Sequence, residues 1–372
     1  MNSTAQQRKR DEEAAPRINW RDKRVLVTGG ASFIGSHLID ALIDKGAQHI
    51  VVLDDFSSGR MENIQGHLDA GRISLTRADL LEPGVPQSAV RDIDVVFHLA
   101  AIHGGRGYVD LHQAACAQNF AMDGLLIKAA QEAGVEKFVF ASSGCVYPNY
   151  LQQDVNQELY LTEEMSGPPS DADNLYGWAK LMGEMTLKAY ARDLGLKSAS
   201  CRFFTVYGER GVENHAVIAM IARAFIKEDP FEVWGDGTQI RNWTYVGDIV
   251  NGVLLAAEKI DDGTAINLGT MERTRVIDAV REVLRYSGHT AEIRLRPDMP
   301  TGPKNRVASN ALARQLLGWQ PAMSFIDGLH RTADWYFRTK DPRRVKDSLY
   351  RLLTERPEPE AAAKPAVVEA AG

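Results

Sequence analysis

A tyrosine and a lysine four residues apart, in the run YGWAK (176–180), are the first residues in this chain that could do chemistry. On a helix, Tyr176 and Lys180 share a face. An ammonium beside a phenol favours the phenolate, so a group whose ordinary pKa is ~10 becomes a usable base near neutral pH. Such spacings also occur by chance on solvated helix surfaces. Here the pair follows SSGCVYP (142–148), which ends a strand and carries both a serine and Cys145. A thiol ionises at ~8.5 and can carry a proton on and off carbon. The bland alternative for Cys145 is a small core residue, since free cysteine is often buried. Cys116 and Cys201 fall within a helix and a strand and read as packing.

A second group of residues has the spacing to hold a dinucleotide. VLVTGGASFIGSHL (25–38) sets a glycine turn between a strand and a helix. Gly29 allows the tight turn and Gly35 lets the helix pack closely. The helix start at Ser32, Phe33 and Ile34 then offers free N–H groups to a pyrophosphate. Ser32 stands where such loops usually have their central glycine. Asp54 lies 19 residues after Gly35 and closes the next strand. A carboxylate there accepts the ribose hydroxyls and repels a 2′-phosphate, which favours NAD over NADP. Its bland reading is a turn residue. RADL (77–80) brings Asp79 and Leu80 toward the adenine edge, and HLAA (98–101) brings Leu99 and Ala101 to the middle of the cofactor.

The elements that must position these residues follow from hydrophobic pattern. RVLVTG (24–29), HIVVLDD (49–55), DVVFHLAA (94–101) and KFVFASS (137–143) are short apolar runs separated by helical patterns. Continuous apolar strands suit a parallel sheet covered on both faces, and the alternation predicts an α/β, doubly wound Rossmann-type fold. After about residue 205 the pattern loosens, as in a smaller C-terminal substrate lobe. The expected division is a flexible leader over 1–22, a dinucleotide domain over 23–205, a substrate lobe over 206–340 with segments returning to the first domain, and a helical or disordered tail over 341–372. The last stretch, RPEPEAAAKPAVVEAAG, has no periodic apolar face.

Composition narrows the function. The 372 residues are 44% hydrophobic and 25% charged with a net charge of −6, which excludes a disordered or fibrous chain. No basic cluster argues for nucleic acid or an anionic membrane. No run approaches the ~20 apolar residues of a bilayer span. Three scattered cysteines form neither a disulfide framework nor a metal site, and with no secretory signal they suggest a cytoplasmic protein without metal.

TGGASFIG, Asp54, HLAA, SSGCVY, YGWAK and RFFTVYG (202–208) occur in the order of the extended short-chain dehydrogenase/reductase family, which residues 22–340 resemble. The resemblance implies a tightly held NAD, a Ser143/Tyr176/Lys180 site and a nucleotide-sugar substrate. It also implies that Gln239 and Arg241, in WGDGTQIRNWTYVGDIVNG (234–252), approach that substrate. Within the family, GGRGY (104–108) with SSGCVYP is most similar to the GDP-mannose 3,5-epimerases. That likeness implies a substrate contact at Gly104 and Gly144, with the diglycine leaving room for the sugar ring. It puts His215 where those enzymes have a lysine, a Cys/His pairing similar to GDP-fucose synthases. Arg223 and Arg306 match their diphosphate-holding positions. Thr205 replaces their asparagine and is similar to sugar-acid 4-epimerases. His215 could equally cap a helix, and Arg106 could touch substrate or solvent.

The family's dehydratases and decarboxylases carry an acid just after the serine; here Gly144, Cys145 and Val146 follow. The expectation is therefore a nucleotide-sugar 3,5- or 5-epimerase, favouring a GDP-sugar, in a homodimer. The alternatives are a 4-epimerase of a nucleotide sugar or sugar acid, a fucose-synthase-like reductase, and a non-catalytic NAD-binding scaffold.

Overall fold

The computed structural model describes residues 18–356. Strands β1 (Arg24–Thr28), β2 (His49–Asp54), β3 (Ile73–Arg77), β4 (Val95–His98), β5 (Lys137–Ser143) and β6 (Ser198–Phe203) join a late strand, Asp262–Leu268, in one parallel sheet. The order across it is Asp262–Leu268, β6, β5, β4, β1, β2, β3. Strand order reverses between β1 and β4, so the carboxyl ends of those strands open a crevice where ligands bind in doubly wound sheets. Parallel pairing buries both faces: Val25, Leu26, Val27, Val96, Phe97, Phe138 and Phe140 are all buried.

Beyond β6 the chain builds a looser lobe of short strands and helices, among them Ala216–Phe225 and Val246–Lys259. It is not a detached unit. Asp262–Leu268 returns to the sheet edge, and helix Val246–Lys259 packs on β5, β6 and helix Phe33–Asp44.

The flexible leader expected over 1–22 ends earlier in the described residues. Trp20 is buried, stacks on Phe97 and donates its indole N–H to Glu258 Oε1 at 3.0 Å. One aromatic supplies enough apolar area to tie down a polar segment, which averaged composition hides. The tail likewise continues as helix Pro342–Leu352, capped by the Asp341 carboxylate and seated through Val345, Leu349 and Leu352. Residues 1–17 and 357–372 of the expected leader and tail lie outside the described part.

Candidate active site

β5 delivers Ser143, and the chain then turns sharply through Gly144–Val146. The Ser143 hydroxyl accepts the Cys145 N–H at 3.1 Å, which fixes the thiol-bearing turn. Helix Asn174–Leu194 begins against this turn. A Cβ on Gly177 would collide with the Cys145 carbonyl, so only glycine permits the contact. Tyr176 is thereby set beside Ser143, whose hydroxyl bonds to the phenol.

Lys180 lies one turn further on, 1% exposed, with its Nζ 5.9 Å from the Tyr176 ring centroid and 4.5 Å from that of Phe140. Its counter-charge is Asp123, 2% exposed, at 3.6 Å. Asp123 also meets His98 Nε2 at 3.1 Å, and His98 Nδ1 meets the Thr28 hydroxyl at 2.8 Å. Burial lowers the Lys180 pKa and Asp123 opposes that shift. The sequence suggested that the lysine lowers the phenol directly. Instead, in the protein alone, burial pushes the Tyr176 phenol up, with Cys145 and Asp123 adding to it and the Ser143 bond opposing. Asp123 was missed by sequence reasoning because its partners, His98 and Lys180, are 25 and 57 positions away.

A cavity of about 410 Å³ runs from Tyr176 into the C-terminal lobe. Ser143, Gly144, Cys145, Gly104, His215, Thr205, Arg223, Gln239, Arg241 and Arg306 all line it. His103, unremarked in the sequence, lies between two of them: its ring is 6.3 Å from that of Tyr176 and 6.0 Å from that of His215. Burial pulls His103 down to about 3 and His215 to about 4, so both imidazoles are neutral at pH 7. His215 also stands at the N-cap of helix Ala216–Phe225, but its side chain makes no capping bond.

The diglycine does not simply clear room for a ring. A Cβ on Gly104 would sit 2.6 Å from Tyr108 Cβ, and one on Gly105 would strike the Asn214 carbonyl. These glycines bring the loop carrying His103 against the segment carrying His215. Arg106 points neither to solvent nor freely into the cavity. Its Nε meets Asp110 and its Nη1 meets Asp173, each at 2.7 Å. The sequence reading gave Arg306 to a diphosphate. It lines the cavity, and its guanidinium reaches Gln152 Oε1 at 2.7 Å, Asp173 at 3.0 Å and the Cys145 sulfur at 3.3 Å. Burial pushes the Asp173 carboxyl upward, but Arg306 and Arg106 outweigh it and hold the group below its usual value.

Other cations remain for an anion. Arg223 is buried with Nε 3.2 Å from Glu228, while its Nε and Nη2 lack hydrogen-bond partners among the described residues. Arg241 donates to the carbonyls of Ile240 and Thr301, both at 2.8 Å. Burial, then Arg306 and Arg106, pull its pKa to about 9, so it stays charged at pH 7. Thr205, which lines the cavity, holds φ at 28°, a left-handed value that costs a β-branched residue strain.

A neighbouring cleft of about 300 Å³ is lined by Gly29, Ser32, Asp54, Asp79, Leu80, Leu99 and Ala101. Phe33, Ile34 and Gly35 line the larger cavity beside it. Gly29 has φ 69°, and a Cβ on Gly35 would collide with the Gly29 carbonyl, so the helix start and the turn need glycine to touch. Asp54 accepts the N–H of Ala31 at 2.9 Å and of Phe56 at 2.8 Å. Burial chiefly raises it to about 6, against those two bonds. A glycine cradle under a helix N-terminus with an acid at the end of β2 fits the pyrophosphate and ribose of NAD.

The comparisons with known proteins agree with this cleft. The NAD dependent epimerase/dehydratase family pattern matches residues 25–269. GDP-mannose 3,5-epimerase 1 of Oryza sativa subsp. indica is 30% identical over 317 residues, 84% of this chain and 81% of the relative. An uncharacterized UDP-glucose epimerase of Bacillus subtilis is 32% identical over 82% of this chain and 95% of its own. The UDP-glucuronic acid 4-epimerase of Bacillus cereus, crystallised with UDP-glucuronic acid and NAD, superposes with a TM-score of 0.77 at 30% identity, covering 85% of this chain and 100% of that one. With its glycine cradle, sheet order and matched length, this chain belongs to the NAD-dependent epimerase/dehydratase family and uses NAD.

Proposed function

We propose that the protein epimerises a nucleotide-diphosphate sugar, preferably a GDP-sugar, at carbon 3 and/or 5 through a transient 4-keto sugar. The carrying observation is that Cys145 and His215 line the same cavity as Tyr176. Bound NAD supplies reversible hydride acceptance at carbon 4. Tyr176 takes the 4-hydroxyl proton, with Ser143 bonded to its oxygen. The ketone acidifies the hydrogens on the adjoining carbons. His215, neutral at pH 7, removes a proton from one ring face, and the Cys145 thiol delivers one to the other. The carbon inverts and no net redox occurs. Arg306 keeps a cationic donor against the sulfur throughout. Arg223 and Arg241 meet the diphosphate, with Gln239 beside them.

The test is turnover of GDP-, UDP- and dTDP-sugars in heavy water, reading deuterium by ring carbon. The proposal expects deuterium at carbon 3 or 5 of the epimer. Cys145→Ser, which keeps the size but gives up its proton far less readily, then loses epimerisation, while exchange through His215 continues with retained configuration. Epimerisation with no solvent deuterium would overturn it and promote a 4-epimerase, the reading favoured by Thr205 and by the UDP-sugar 4-epimerases among the solved neighbours.

A homodimer is part of the same proposal. Leu175, Trp178, Met182 and Met185 form an exposed apolar stripe on helix Asn174–Leu194, near exposed Phe120 and Leu125 of helix Asn119–Glu132. A cytoplasmic location fits the unpaired cysteines. Among the described residues, no helix is long and apolar enough to cross a membrane.

A further inference from the structure

The residues that follow helix Pro342–Leu352 stay against the molecule as far as Arg356. Helix Pro342–Leu352 packs on helix Ala216–Phe225, which follows His215, so it begins on the substrate side. Leu353 is buried, and its carbonyl presses on the loop helix Arg106–Leu111: a Cβ on Gly107 would sit 2.6 Å from it. Glu355 meets His112 Nε2 at 3.2 Å. Arg356 then crosses to the dinucleotide side, donates from Nη2 to the Ser57 hydroxyl at 2.6 Å, and bonds to Tyr108. Its Nε is buried with no partner among the described residues. Arg356 lines both cavities.

Charge makes this placement informative. The described residues lining the dinucleotide cleft include the acids Asp54, Asp55 and Asp79, and Arg356 is the one permanent cation among them. A pyrophosphate entering there meets carboxylates on its ribose side and needs a positive partner. We propose that the C-terminal arm is a clasp over the bound cofactor, in which Arg356 pairs with the NAD pyrophosphate and slows NAD release. The partnerless Nε and the Nη groups give a planar fork suited to phosphate oxygens. The Ser57 and Tyr108 bonds hold that fork in place before the cofactor arrives. An epimerase that returns its hydride each cycle benefits from keeping its NAD. The clasp itself rests only on NAD binding.

The full chain and its Arg356→Ala and Arg356→Lys variants are stripped of NAD and titrated calorimetrically with NAD, ADP-ribose and adenosine. Arg356→Ala is expected to weaken NAD and ADP-ribose about ten- to hundredfold and adenosine less than twofold, with Arg356→Lys between. NAD retained through gel filtration falls in parallel. NAD affinity within twofold of the parent would overturn the clasp. So would an equal loss for adenosine, which would mean that Arg356 merely props the Ser57 loop. If Arg356→Ala fails to fold, Arg356→Gln carries the same comparison. An unsubstituted chain that binds no NAD would instead contradict the cofactor assignment.

Discussion

In the proposed reaction Tyr176 and Asp123 divide the work of making a base. Tyr176 would touch the reacting hydroxyl, whereas Asp123 would act through Lys180, whose ammonium would otherwise be buried and unpaired. Tyr176→Phe is expected to cut turnover by ~10²–10⁴-fold while NAD binding and melting temperature hold, checked by kinetics beside calorimetry. Asp123→Asn leaves burial acting on Lys180 without its counter-charge, so the lysine loses its proton at lower pH. The alkaline limb of the kcat–pH profile should therefore move to lower pH, which a purely structural role would not produce. Asp54 gives a second pH signature. Its pKa of about 6 lies above the unfolded value, so the folded protein binds that proton more tightly. The cost of keeping it ionised is present above about pH 6 and disappears as pH falls to the unfolded range near ~4. The protonated carboxyl accepts ribose hydroxyls poorly, so NAD affinity should drop as pH falls through about 6, read by titration from pH 5 to 8.

At the scale of elements, the site depends on three places where backbone meets backbone: Gly35 on Gly29, Gly177 on Cys145 and Gly105 on Asn214. Gly177→Ala should lower stability by ~1–3 kcal/mol and push Tyr176 away from Ser143, lowering kcat more than substrate affinity. Thermal melts and steady-state kinetics measure both. The strands, the glycine turn and the start of the catalytic helix were readable because each has a local pattern. β5 ends at Ser143 as KFVFASS suggested, and the four-residue step from Tyr176 to Lys180 falls on one helix. What local pattern hid is chiefly long-range pairing. His103 went unremarked because its neighbour His215 is 112 positions on. The protein partners of Arg306, which are Cys145, Gln152 and Asp173, were hidden for the same reason.

Over the whole molecule, sheet and lobe are joined by the returning strand, by Trp20 on Glu258 and by the arm that carries Arg356. Trp20→Ala should destabilise the protein by ~3–5 kcal/mol, seen in denaturant midpoints, although it lies in a segment whose composition looks dispensable. The contact between Gly105 and Asn214 reaches further. Two chain segments that each carry an imidazole meet where a single methyl group does not fit, so the spacing of those imidazoles is set by backbone. In a saturation library selected for activity, position 105 should therefore accept nothing but glycine, though it carries no functional group. Side chains at 103 and 205 would still be free to vary, and a change of substrate range by selection would have to travel through them.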